Sequence, residues 1–166
     1  KVTVTRKPRR IVSLSPTATE TLFAIGAGRQ VVAVDNQSDY PKHAPKTTLS
    51  GFTPNVEAIA SYKPDLVVIS FDTKGLAQSL RRLKIKVVHH DGVKTLKGAY
   101  TQIRQLGLVT GNALKATLVI KQMRKKIDRI VEASKERANG LSVYHELDPL
   151  LFSASSACRM RAMISG

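Results

Sequence analysis

Four short clusters in the sequence carry side chains able to do chemistry. Ser15-Pro16-Thr17 reads as a helix start, where free backbone N–H groups can meet an anion or a polar ligand group. Plain helix capping uses the same residues without any ligand. Ser38-Asp39-Tyr40-Pro41, and Phe52 between Gly51 and Thr53, set aromatic rings on a loop. Such rings serve either as a ligand wall or as a lid on the core. Ser70-Phe71-Asp72 follows an apolar run and so sits at a strand end. His89-His90-Asp91 also closes a strand and could ligate zinc or manganese, together with the distant His145-Glu146-Leu147-Asp148. A metal needs three or four ligands in fixed geometry. Adjacent histidines in a strand point to opposite faces, so only one of the pair could join a given site.

Catalysis finds little support. The sequence holds no nucleophile elbow, no phosphate-cradling glycine loop and no zinc-protease helix motif. Gly26-Ala27-Gly28 ends a helix and does not link a strand to a helix start, so it is not a dinucleotide fingerprint. Cys158 has no base partner that the sequence identifies, and a lone cysteine excludes an intrachain disulfide framework.

These clusters need a scaffold, and the apolar pattern supplies one. The spacing predicts strands at Ile11–Leu14, Val31–Val34, Leu66–Ser70, Ile85–Val88 and Leu141–Tyr144. Helices are expected from Pro16 after a Ser15 cap to Ile25, from Thr53-Pro54 to about Ser61, over Leu76–Leu83, and over Leu96–Leu106 after a Thr95 cap. Residues 36–54 hold three prolines and no periodicity, as long functional loops do. A last helix over 112–138, with Ala116, Ile120, Met123, Ile127 and Val131 in one stripe, would be about 40 Å long. Strands alternating with helices imply an α/β fold: a three-layer lobe on a mostly parallel sheet, then the long helix. Ligands of such sheets sit outside the carboxyl ends of the strands, where all four clusters fall.

The chain of 166 residues carries 27 Lys+Arg against 12 Asp+Glu, a net charge of +15. The excess is concentrated after residue 75 and peaks over 112–138, with no interleaved aromatics to stack bases. A basic polyanion-binding module remains an alternative, but no specific nucleic-acid partner is expected. No run approaches the roughly 18 apolar residues of a membrane span. KVTVTRKPRR lacks the apolar region of a secretory signal, so a signal is expected to be absent from this chain.

RRIVSLSPTATETLFAIGAG, VVAVDNQSDYP, LSGFTPNVEAIASYKPDLVVIS and YTQIRQLGLVTG, in that order, resemble the cobalamin and iron-siderophore group of ABC-transporter substrate-binding proteins. The resemblance runs from residue 6 to about 153. It implies a non-enzymatic binding protein with two α/β lobes joined by one long helix. It gives residues 1–111 as the ligand-binding lobe, 112–138 as the connecting helix and 139–166 as the remnant of a second lobe. Family members are nearly twice as long, so a truncated second lobe is expected. The resemblance further implies a cleft wall of Ser15, Pro16, Tyr40, Phe52, Phe71 and Asp72. It assigns Glu57 in NVEAI to docking on the permease. The implied ligand is cobalamin or a ferric siderophore, with no cofactor. The implied partners are an ABC permease and its ATPase, and the implied location is extracytoplasmic, as a tethered lipoprotein or in the periplasm. A zinc- or manganese-binding protein using His89 or His90 with His145 is the alternative ligand class.

Overall fold

The computed structural model describes residues 6–134. The expected strand at 141–144, the 145–148 cluster, Cys158 and the second-lobe remnant lie outside the described residues. Four strands, β1 (Ile11–Leu14), β2 (Val31–Val34), β3 (Leu66–Ile69) and β4 (Lys86–His89), form one parallel sheet in the order β2-β1-β3-β4. Five helices alternate with them: α1 (Pro16–Ala24), α2 (Val56–Ser61), α3 (Leu76–Arg82), α4 (Leu96–Thr110) and α5 (Ala113–Ser134). The chain is therefore an α/β fold, as the pattern predicts.

The strands are almost wholly buried, because helices cover both sheet faces. Val12, Leu14, Ala33, Val67, Ile69 and Val87 pack with Ile59 of α2 and Leu76, Ala77 and Leu80 of α3. Ser13, one residue out of phase, faces the other way and meets Thr19 of α1. Helices α1 and α4 contact each other, and so do α2 and α3, giving three layers.

Local rules set most boundaries. Ser15 caps α1 by accepting from Ala18 N at 3.3 Å, with Pro16 in the first turn. Thr95 caps α4 in the same way, accepting from Gly98 N at 3.1 Å. Helix α2 begins later than expected. Thr53-Pro54 does not start it; Asn55 is the cap, its side chain accepting from Ala58 N at 2.8 Å. An asparagine carboxamide reaches the N3 amide that the proline signal alone does not satisfy. Helix α4 runs to Thr110, past the expected Leu106. It stops where Gly111 adopts φ 71° and Asn112 N bonds back to Gly107 O at 2.7 Å. A side chain at Gly107 would collide with Ala116, which sets how closely α4 and the start of α5 approach. Helix α5 runs unbroken through its 22 residues, and Ala116 and Ile120 of its stripe are buried. A first compact unit ends at Lys121; the later turns of α5 belong to a second.

Candidate functional site

In a sheet of order β2-β1-β3-β4, the chain passes from β1 to β2 on one side and then crosses back to β3 on the other. The crevice opens between the carboxyl ends of β1 and β3. Ser15 and Ser70 stand there. The Ser70 hydroxyl donates to Ser15 Oγ at 2.6 Å, joining the loop after β3 to the cap of α1. Ser15 is buried and committed as a cap, while Pro16 beside it is exposed.

The long segment 36–54 is tied down at several points. Val34 N bonds Pro45 O, Thr47 N bonds Val34 O, and Asn36 N bonds Leu49 O. Asp39 pairs with Lys46, and His43 meets Phe23 of α1 edge-on with centroids 5.2 Å apart. Gly51 lies across the end of β1: a Cβ there would stand 2.8 Å from Leu14 O and 3.1 Å from Asp35 Oδ2. Ser50 Oγ accepts from the amides of Phe52 and Thr53 at 3.2 and 3.0 Å, fixing the turn that presents Phe52. The Phe52 ring stacks on Phe71 from the loop after β3, with centroids 5.4 Å apart and planes 29° apart.

Tyr40, Phe52 and Phe71 are 66, 61 and 54% exposed at this one edge of the sheet. Three large rings held out by bonded loops form an exposed apolar rim. Asp72 is exposed, and one of its oxygens accepts from Ala77 N at 2.8 Å, so half of its carboxylate serves helix α3. Glu57 is exposed in the first turn of α2, on the same edge. A cavity of about 350 Å³ flanks Phe52, lined by Pro54, Asn55, Val56, Thr73, Lys74 and Ser79 among others. The sequence reading did not single out Lys74, which takes φ 53°.

Beneath the rim runs a buried polar chain that the residue types alone did not reveal. Ser38 Oγ lies 2.5 Å from Asp35 Oδ1, Thr19 Oγ1 lies 3.0 Å from Ser38 Oγ, and Thr19 Oγ1 lies 2.9 Å from Ser13 Oγ. Ser13 in turn donates to Ser15 O at 3.3 Å. Ser38 donates to Asp35 and Thr19 to Ser13, while either hydroxyl can donate across the Thr19–Ser38 contact. Burial pushes the Asp35 carboxyl above the usual carboxylate range, against the opposing effect of the Ser38 hydrogen bonds. The signal available in sequence was the alternation Ser13, Thr19: hydroxyls at positions whose neighbours are apolar core.

The histidines separate. His90 is buried, and its Nε2 lies 3.0 Å from Gln105 Oε1 on α4. Burial pushes its imidazole below the usual value. His89 turns to Ser70 O at 3.3 Å and Asp91 at 2.9 Å. Among the described residues no group of three or more His, Cys, Asp or Glu is placed to hold a metal; His145 lies outside them. No helix among the described residues is long and apolar enough to cross a membrane.

The sequence profile described as periplasmic binding protein matches residues 11–165. An uncharacterised ABC transporter substrate-binding lipoprotein of Bacillus subtilis is 32% identical over 155 residues, covering 89% of this chain and 49% of its own length. A vitamin B12-binding protein of Pectobacterium carotovorum is 30% identical over 164 residues, covering 95% of this chain and 59% of its own. The crystal structure of a possible iron-binding, periplasmic solute-binding protein of Staphylococcus epidermidis superposes with a TM-score of 0.71 at 27% identity, covering 79% of this chain and 53% of that one. The chain thus spans about half the length of these relatives.

Proposed function

The chain belongs to the periplasmic binding protein family, and we propose that it forms the first lobe of a solute-binding component of an ABC importer that captures cobalamin or a ferric siderophore. The observation that carries this reading is the aromatic rim at the β1/β3 crevice: Phe52 stacked on Phe71, with Tyr40 on the same edge. Corrins and ferric siderophores are bulky, and a corrin offers a broad ring face for aromatic contact. They suit a wall of exposed rings with few polar anchors better than a bare ion does. The relatives named for vitamin B12 and for iron support the same class. The role is binding and delivery, not catalysis.

The permease and its ATPase are the partners this reading requires. Glu57, exposed on the same edge as the rim, is the carboxylate offered to an arginine of the permease in a charge-assisted, bidentate pair. The protein works outside the cytoplasm.

Titration with cyanocobalamin, a ferric hydroxamate and zinc chloride, followed by tyrosine fluorescence and visible absorbance, tests the ligand class. Saturable binding of a chelate is expected. Binding of zinc alone, with no response to either chelate, would overturn the assignment.

A further inference from the structure

The cavity beside the rim differs from it in size and in chemistry. Its volume of about 350 Å³ lies at the foot of the range for small-ligand pockets, about 300–1,000 Å³, which suits a side arm of a bulky solute and not its body. One wall comes from the approach to α2, the other from the turn after β3 and from α3 itself. Phe52 belongs to both places: it stacks on Phe71 at the rim and it lines the cavity. The cavity is thus continuous with the surface on which the body of a solute would lie.

The hydrogen bonds of the lining leave it with donors to spare. Thr53 Oγ1 donates to Ser50 Oγ at 3.1 Å, and Asn55 Oδ1 accepts from Ala58 N at 2.8 Å, so these two atoms are committed. The Asn55 amino group, the hydroxyls of Thr73 and Ser79 and the Lys74 ammonium have no protein partner among the described residues. The ion pairs among the described residues, Asp39–Lys46 and His89–Asp91, do not include Lys74. Among the described residues no carboxylate lines the cavity. Asp72 lies just outside it, and by accepting from Ala77 N at 2.8 Å it holds the turn that carries Lys74. An ammonium offers three donors and no acceptor, a carboxamide nitrogen two donors, and each hydroxyl one. Neutral donors around one ammonium complement a group that is negatively charged and accepts several hydrogen bonds.

We infer that this cavity is a subsite for an oxyanion arm of the solute, a carboxylate or a phosphate, held by Lys74 with Asn55, Thr73 and Ser79. The subsite presupposes that the rim takes a chelate, as proposed above, and it narrows the class to chelates whose periphery carries negative charge. Glu57 stands outside the lining and stays free for the permease. Rim, subsite and Glu57 share the carboxyl edge of the sheet, so the solute is held on the same side as the docking carboxylate.

The test uses two matched pairs of probes, read by tyrosine fluorescence and visible absorbance. Ferrioxamine B ends in an ammonium, and its N-succinyl derivative ends in a carboxylate on the same ferric hydroxamate core. Cyanocobalamin carries a phosphodiester that dicyanocobinamide lacks. The oxyanion member of a pair should bind more tightly than its partner; preference in the first pair identifies a carboxylate arm, and in the second a phosphate. K74Q should lower the affinity of that oxyanion probe about tenfold and leave its partner within about twofold. K74R should restore most of the loss, and S79L, which fills the cavity, should reproduce it. K94Q removes an exposed charge from the loop after β4, outside the lining, and should stay within about twofold of the native chain. Equal losses from K94Q and K74Q would show that overall charge governs the binding and would overturn the inference. So would K74Q that binds the oxyanion probes as the native chain does, or that loses both members of a pair alike. Binding that depends on Phe52 and Phe71 but not on Lys74 overturns the subsite and leaves the rim assignment standing. If none of the probes binds, the rim assignment fails and the subsite falls with it. Thermal melts unchanged from the native chain establish that each variant is folded.

Discussion

Phe52 and Phe71 stack at 5.4 Å although they belong to loops that leave strands on opposite sides of β1. The stack closes over the end of β1 only because Gly51 lets the chain cross Leu14 O. One aromatic surface is thereby assembled from two connections that are distant in sequence.

Removing either ring should weaken chelate binding by about sixtyfold, since losing roughly half of an aromatic's area of about 200 Å² to the ligand costs about 2.5 kcal/mol. The double variant F52A/F71A should lose less than the sum, because the rings support each other. Titration of the three variants measures this. Urea midpoints should shift little, as both rings are more than half exposed in the free protein.

Gly51→Ala places a methyl group against the Leu14 carbonyl and the Asp35 carboxylate. We expect a loss of about 1–3 kcal/mol in urea denaturation, with weaker ligand binding because Phe52 is displaced. Ser50→Ala, which frees the Phe52 and Thr53 amides in an exposed turn, should affect binding more than stability.

Ser15→Ala removes the cap of α1 and the acceptor of the Ser70 hydroxyl, and should cost about 1–2 kcal/mol. Ser15→Asn should restore part of the cap but not the 2.6 Å link to Ser70. Comparing the two variants by urea unfolding separates the contributions.

Asp35 makes stability depend on pH. Its folded-state pKa is raised, mainly by burial, so the native state holds the proton more tightly than the unfolded chain does. The contribution to stability is present below the ordinary carboxylate range of about 4 and is lost as pH rises through the raised value. Asp35→Asn supplies a donor at every pH. Its stability relative to the native chain should therefore increase from acid towards neutral pH, as read from urea midpoints across that range. A constant difference would place the proton elsewhere.

Glu57→Arg should abolish uptake in cells carrying the cognate permease while leaving solute affinity unchanged. Uptake at the native rate would contradict the docking role.

Much of the scaffold was legible because it follows local rules. The buried runs at 11–14, 31–34 and 66–69 are continuous and apolar, and Ser15-Pro16 and Thr95 are caps that chemistry dictates. The start of α2 was misplaced because proline marks a first turn so strongly that it concealed Asn55, whose carboxamide does the capping. The rim residues were named by resemblance, but the Phe52–Phe71 stack was not foreseen. It depends on strand order, and strand order is a long-range property. The Asp35–Ser38–Thr19–Ser13 chain escaped for the same reason, since its members come from β1, α1 and the β2 loop and meet only in the folded lobe.

The central claim is that solute meets the lobe at the β1/β3 crevice. Amide and aromatic chemical-shift mapping on titration with cyanocobalamin or a ferric hydroxamate tests it most directly. Perturbations clustered on Ser15, Tyr40, Phe52, Ser70 and Phe71 are the predicted result. Shifts confined to α4 or α5, with those five residues unmoved, would contradict it.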